Sequence, residues 1–144
     1  MRLVMGSDHG GVVLKSRMVH FLEQTRPDIQ VIDIGTGTTD SVDYPDFGRK
    51  AATLIVEGQA DCGILICGTG IGISMMANRF KGIRAAVVHD VFTAKMAKAH
   101  NNANILCLGG RTTDPELAST LVSTWLDTPF EGGRHLNRIQ KLDL

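Results

Sequence analysis

The stretch Gly63-Ile64-Leu65-Ile66-Cys67-Gly68-Thr69-Gly70-Ile71-Gly72-Ile73-Ser74 decides how the rest of the chain is read. Residues 63–66 form a short apolar run of the kind that makes a buried strand. The run from Ser74 to Phe80 is compatible with a helix. Between them lies a glycine-rich turn, with a thiol at its start. Such a turn exposes several backbone N–H groups, and the start of a helix adds positive potential. Both favour a thiolate over a thiol, and both can hold a developing oxyanion. One segment could thus supply a base or nucleophile together with its electrostatic stabiliser.

Outward from this segment, strand and helix signals alternate. Leu3-Val4-Met5 reads as the first strand, followed by a helix with Leu14, Met18, Phe21 and Leu22 on one stripe. Val31 to Ile34 is the second strand, and the polar stretch from Thr36 to Pro45 is a loop. A second helix carries Phe47, Ala51, Leu54 and Ile55 and ends near Gly58. Cys62 to Ile66 is the third strand, and Ala85 to Val88 the fourth. A helix with Phe92 and Met96 then reaches about His100. Ile105 to Leu108 is the fifth strand. The fifth helix opens at Asp114-Pro115-Glu116, a cap, a proline at the first helical position and an acid in the first turn. A last helix is expected between Glu131 and about Leu142. The alternation predicts one α/β domain over residues 1–144, a Rossmann-like α/β/α sandwich with a five-stranded parallel sheet and a C-terminal helix. Right-handed crossovers put the loops after the strands on one edge, where ligands bind in such sheets.

The residues that follow each strand form a consistent set. After the first come Ser7, Asp8 and His9; after the second, Asp43 and Tyr44; after the third, Cys67 and its turn. His89 and Asp90 follow the fourth, and Gly109, Gly110 and Arg111 the fifth. Loops are polar in any case, and that bland reading weighs most on His89 and Asp90. Cys62 and Cys107 lie in or beside apolar runs and read as packing residues. The turn is G-x-G-x-G, with Ile73 where a dinucleotide fingerprint needs its third glycine. No G-x-x-x-x-G-K-[ST], H-x-x-x-H or C-x-x-C occurs.

His100 and Asn101 close the fourth helix just before the fifth strand, at the opposite edge from Cys67. A strand of about five residues spans roughly 17 Å, too far for a side chain to reach back. Two readings stay open: His100 is a favourable cation at a helix C-terminus, or it completes the site of another subunit. Arg134 and Arg138, four apart, share a helix face. They suit a phosphate or carboxylate, or they form a solvated basic face with Lys141.

The whole-chain figures narrow the class. Fifteen basic and fifteen acidic side chains give a formal net charge of zero over 144 residues, unlike a nucleic-acid binder. Three cysteines, an odd number, argue against a disulfide framework and for a reducing compartment. No apolar run is long enough to span a bilayer, and the first residues lack the order of a secretion signal. A cytoplasmic chain without nucleic-acid or membrane partners is expected, acting on small molecules or pairing with copies of itself.

Several stretches occur together, in order: Gly6-Ser7-Asp8-His9-Gly10-Gly11, Asp43-Tyr44-Pro45, Gly63 to Gly72, Gly82-Ile83-Arg84-Ala85, His100-Asn101 and Glu131-Gly132-Gly133-Arg134-His135. In this combination, across essentially the whole length, the chain resembles type B ribose-5-phosphate isomerase, in the family that also holds galactose- and allose-6-phosphate isomerases. The resemblance implies aldose–ketose isomerisation through an enediolate, with no metal or organic cofactor. It implies Cys67 as the base, and Thr69 with the amides of Gly68, Gly70, Ile71, Gly72 and Ser74 around the enediolate. His100 would help open the sugar ring, accompanied by Asn101. Asp8 and Tyr44 would contact substrate, with Asp43 nearby. His9, Arg111, Arg134 and Arg138 would bind phosphate, and His135 would line the site. A branch that uses a glutamate after the turn is set aside, because Ile73 stands there. The resemblance also implies a homodimer or a dimer of dimers, with sites built from both subunits. A four- or six-carbon sugar phosphate (erythrulose, galactose or allose phosphate) is the alternative substrate, and a non-catalytic sugar-phosphate-binding subunit the alternative role.

Overall fold

The structure, a computed structural model, describes residues 1–143. Five strands alternate with helices: β1 (Arg2–Ser7), α1 (Val12–Thr25), β2 (Gln30–Asp33), α2 (Tyr44–Val56), β3 (Cys62–Cys67), α3 (Ile71–Ala77), β4 (Ala85–Val87), α4 (Val91–Ala99), β5 (Ile105–Gly109), α5 (Pro115–Asp127) and α6 (Arg134–Ile139). The strands form one sheet in the order β2-β1-β3-β5-β4, and every pairing is parallel. The protein therefore has the Rossmann-like α/β architecture that the alternation predicts.

The pleat sorts side chains between two cores. Leu3, Met5, Ile64, Ile66, Leu106 and Leu108 face α1, α4 and α5, where Leu14, Met18, Leu22, Leu121 and Trp125 close over them. Val4, Leu65, Ile105 and Cys107 face α2 and α3, meeting Ala51, Ala52 and Ile73. Each large apolar side chain so buried contributes about 1.5–3 kcal/mol. The single tryptophan, Trp125, is 1% exposed, and its indole N–H donates to the Ala103 carbonyl at 3.0 Å. The fifth helix starts as its sequence dictates: Asp114 Oδ1 accepts the Leu117 N–H at 3.0 Å.

Several elements differ from the sequence reading: β2 lies one residue earlier, and α2 opens at Tyr44, inside the expected Thr36 to Pro45 loop. Helix α3 begins at Ile71 rather than Ser74, because Gly70 takes a left-handed φ of 79° and turns the chain directly into the helix. Helix α6 spans only Arg134–Ile139, since Gly132 and Gly133 hold positive φ before it. Phe92, assigned to the apolar stripe of α4, is 71% exposed; the packed side of that helix is Ala94, Ala97 and Ala99.

The strand order fixes where a ligand can sit. From β1 the chain steps outward to β2, then α2 carries it back past β1 to β3. The order thus reverses between β1 and β3, and a crevice opens at their C-terminal ends. Asp8 follows β1 and Cys67 ends β3, so both flank that point.

Candidate active site

Cys67 is the last residue of β3 and is 4% exposed. Its sulfur accepts the Gly70 N–H at 3.2 Å. The thiol therefore sits inside the turn that follows it, with one amide already aimed at it. Cys62 and Cys107 contrast with this. Burial pushes the Cys62 thiol up to about 11, and burial pushes Cys107 higher still. Both are held as neutral packing groups, as read from the sequence.

The turn is pinned to its neighbours. The Gly110 N–H donates to the Cys67 carbonyl at 2.8 Å, and the Arg111 N–H to the Gly68 carbonyl at 3.0 Å. Thr69 Oγ1 accepts the Ile71 N–H at 3.3 Å, and the Ser74 hydroxyl donates to the Ile71 carbonyl at 2.7 Å. Two glycines let side chains close in on the turn. A β-carbon on Gly72 would come within 2.7 Å of the Tyr44 ring, and one on Gly68 within 3.0 Å of the Arg111 guanidinium. Tyr44 and Arg111 thus lie against opposite parts of the turn. Asp8 is buried, its Oδ1 accepting the Gly10 N–H at 2.9 Å, and Gly10 lies against the Gly68 amide. His9 Nδ1 accepts the Val42 N–H at 3.1 Å. In the neutral ring that bond puts the proton on Nε2.

The C-terminal edge of the sheet therefore unites Asp8, His9, Tyr44, Cys67, Thr69, the amides of residues 68–74 and Arg111. Asp43 precedes Tyr44 as an exposed residue at the start of α2 and makes no side-chain cap. Asp90, which also follows a strand, serves as the cap of α4, accepting from the Thr93 N–H at 2.7 Å.

His100, Asn101, Arg134, His135 and Arg138 are not part of that edge. Register places Gly63 beside Ile105 at one end of the sheet and Cys67 beside Gly109 at the other. His100 caps the C-terminus of α4, ahead of Ile105. It meets His135 there: the rings stack with centroids 4.2 Å apart and planes 11° from parallel. Glu131 Oε2 lies 3.7 Å from His100 Nε2 and 3.4 Å from His135 Nε2. His135 is buried and its pKa falls below the ordinary value, first because burial penalises the cation and next because His100 lies beside it. Arg134 and Arg138 are exposed on α6. Asn101 lines a cleft of about 560 Å³ bounded by Arg79, Phe80, Arg84, Ala103 and Leu142. This cleft lies away from Cys67. Arg84 braces the loop here, its Nε donating to the carbonyls of Asn101 and Asn102 at 3.1 Å each.

Sequence reasoning gave Glu131 no role, although it stands four residues before His135. The Val42 N–H that orients His9 was also missed, because a backbone donor from a loop leaves no mark in side-chain identity.

Known proteins resemble the chain over nearly its whole length. A family model described as Ribose/Galactose Isomerase matches residues 3–142. Ribose-5-phosphate isomerase B of Escherichia coli is 41% identical over 142 residues, covering 98% of this chain and 93% of that one. The structure of ribose-5-phosphate isomerase B from Clostridium thermocellum matches with a TM-score of 0.95 at 49% identity, covering 99% of this chain and 95% of that one. The enzyme from Thermotoga maritima matches with a TM-score of 0.95 at 47% identity, covering 99% and 97%.

Proposed function

The chain belongs to the ribose/galactose isomerase family, and from that premise we propose that it interconverts ribose 5-phosphate and ribulose 5-phosphate with Cys67 as the base. The observation that carries the proposal is the Cys67 sulfur held 3.2 Å from the Gly70 amide inside a turn rich in N–H donors. In the aldose-to-ketose direction, the sulfur takes the proton from C2 as the electron pair forms the C1=C2 bond of an enediolate. The negative charge gathers on O1, where the turn amides and the Thr69 hydroxyl stabilise it. The thiol returns its proton to C1, and transfer of the O2 proton to O1 leaves the ketone at C2. Asp8 and Tyr44 flank the turn and would fix the sugar hydroxyls. Arg111 and His9, with its Nε2–H, would hold the phosphate. Binding energy at that remote group aligns the reacting carbons.

Ring opening needs a second proton-transfer group. His100 suits this chemistry but belongs to the other end of the sheet. We infer that a second copy of the chain supplies it, together with Arg134 and Arg138. Large apolar side chains exposed on α3 (Ile71, Met75) and α4 (Val91, Phe92) support pairing between copies.

The deciding experiment follows interconversion of the two pentose phosphates by purified protein, with Cys67→Ala as control. Turnover that disappears in the variant supports both the reaction and its base. A folded wild type that leaves pentose phosphates unchanged but converts a four- or six-carbon sugar phosphate would change the substrate. Binding of all of these with turnover of none would replace the enzyme with a binding subunit.

A further inference from the structure

We propose that His100, Glu131 and His135 form a binding site for a divalent transition-metal ion of the zinc type, with the fourth coordination position open to water. One ligand atom from each side chain lies within 4.8 Å of the others, and among the described residues no other three such groups meet so closely. Two of the three donor separations come close to those around a bound ion. A tetrahedral ion with ligands at about 2.0–2.1 Å spaces its donors about 3.3 Å apart. Glu131 Oε2 stands 3.4 Å from one imidazole nitrogen and 3.7 Å from the other. Both Nε2 atoms lie near the same Glu131 oxygen. Binding would open the ring stack, tilting the imidazoles so that their in-plane lone pairs meet at the ion.

The cluster is also braced. The Glu131 N–H donates to the Ala99 carbonyl at 3.0 Å, which ties the loop after α5 to the end of α4. The positive φ of Gly132 and Gly133 then turns the chain so that His135 returns beneath Glu131. His135 is 8% exposed at its side chain and Glu131 54%, so an ion would be reached from solvent through the carboxylate. Two imidazoles and one carboxylate suit zinc or cobalt, whereas magnesium and calcium prefer oxygen donors. The charges of Arg134 and Arg138 oppose a dication and make this site weaker than a structural zinc site. Its consequence for turnover rests on the proposed function: an ion on His100 withdraws that ring from sugar opening, so zinc acts as an inhibitor.

The test is a Co²⁺ titration of untagged, metal-free protein, read by visible absorption. One ion per chain is expected, with a tetrahedral nitrogen/oxygen spectrum, displaced by Zn²⁺. Glu131→Gln and His135→Gln, each verified as folded by circular dichroism, should weaken binding by at least about tenfold. Cys67→Ala should leave it unchanged. Equal affinity in both cluster variants, a thiolate charge-transfer band, loss of binding in Cys67→Ala, or no binding at all would overturn the site. Zn²⁺ should slow wild-type turnover at the concentrations that fill the site. Filling without slowing would overturn the inhibitory link alone. The titration stands whether or not the protein proves to be an isomerase.

Discussion

The two ends of the sheet carry reactive groups by different means. At the C-terminal end, Cys67 is served by backbone: the Gly70 amide at 3.2 Å, the turn held by Gly110 and Arg111 N–H groups, and glycines where side chains would collide with Tyr44 and Arg111. At the other end, His100 is served by side chains from a distant part of the chain, Glu131 and His135. A backbone cradle is fixed once the sheet forms and cannot be removed by a single side-chain change. A side-chain cluster can adjust, titrate and exchange ligands. Proton abstraction from carbon needs an unmoving oxyanion partner, while ring opening needs a group able to gain and lose a proton. Under the proposed function, the division of labour between the ends would follow from those needs.

Breaking the first end should have the largest effect. Cys67→Ala is expected to lower kcat by about 10³-fold with little change in stability, because a positioned acid–base group supplies that order of rate. Activity close to wild type would move the base elsewhere. The comparison is sharpened by mixing. Cys67→Ala and His100→Ala proteins, each inactive, should together regain roughly a quarter of wild-type activity, since half of randomly exchanged dimers are hybrids with one intact site of two. Subunit exchange without regained activity would refute sharing between copies. A smaller effect tests the backbone cradle. Gly70→Ala places a side chain at φ 79° beside the Leu108 backbone, which should cost about 1–2 kcal/mol in a urea titration. An unchanged midpoint would mean the turn relaxes freely. The smallest effect belongs to the second end. Because the folded pKa of His135 is below its ordinary value of 6.5, the unfolded chain takes up the proton first as pH falls. The associated stability is complete above that value and declines as pH drops from it towards the folded pKa. His135→Gln should flatten this acid-side decline, read as the difference in urea midpoint between neutral and mildly acidic buffer.

Much of the first end could be read in the sequence, because each of its groups directly follows a strand and the alternation of strands and helices fixes which edge that is. Cys67, Asp8 and Arg111 were found by position alone. The start of α3 was misplaced by three residues, since a left-handed Gly70 lets Ile71 enter the helix at once. The second end was read as isolated residues. The separation of His100 from Cys67 followed from topology, but its stacking on His135 did not, because contact between the end of α4 and the start of α6 depends on the path of the loop between them. The same holds for Lys15, which is 4% exposed and bonded to both oxygens of Asp33, at 2.7 and 2.6 Å. An ion pair between two elements, here a buried lysine on a half-exposed aspartate, leaves no periodic trace.

Trp125 has one further consequence. It is the chain's only tryptophan, sealed in the core and bonded to the loop that follows His100, with the Lys98 ammonium 5.6 Å from its ring. The intrinsic fluorescence of the protein is therefore a local optical reporter. Excited at the red edge, it watches the packing of α4 against α5 and the His100 end of the sheet.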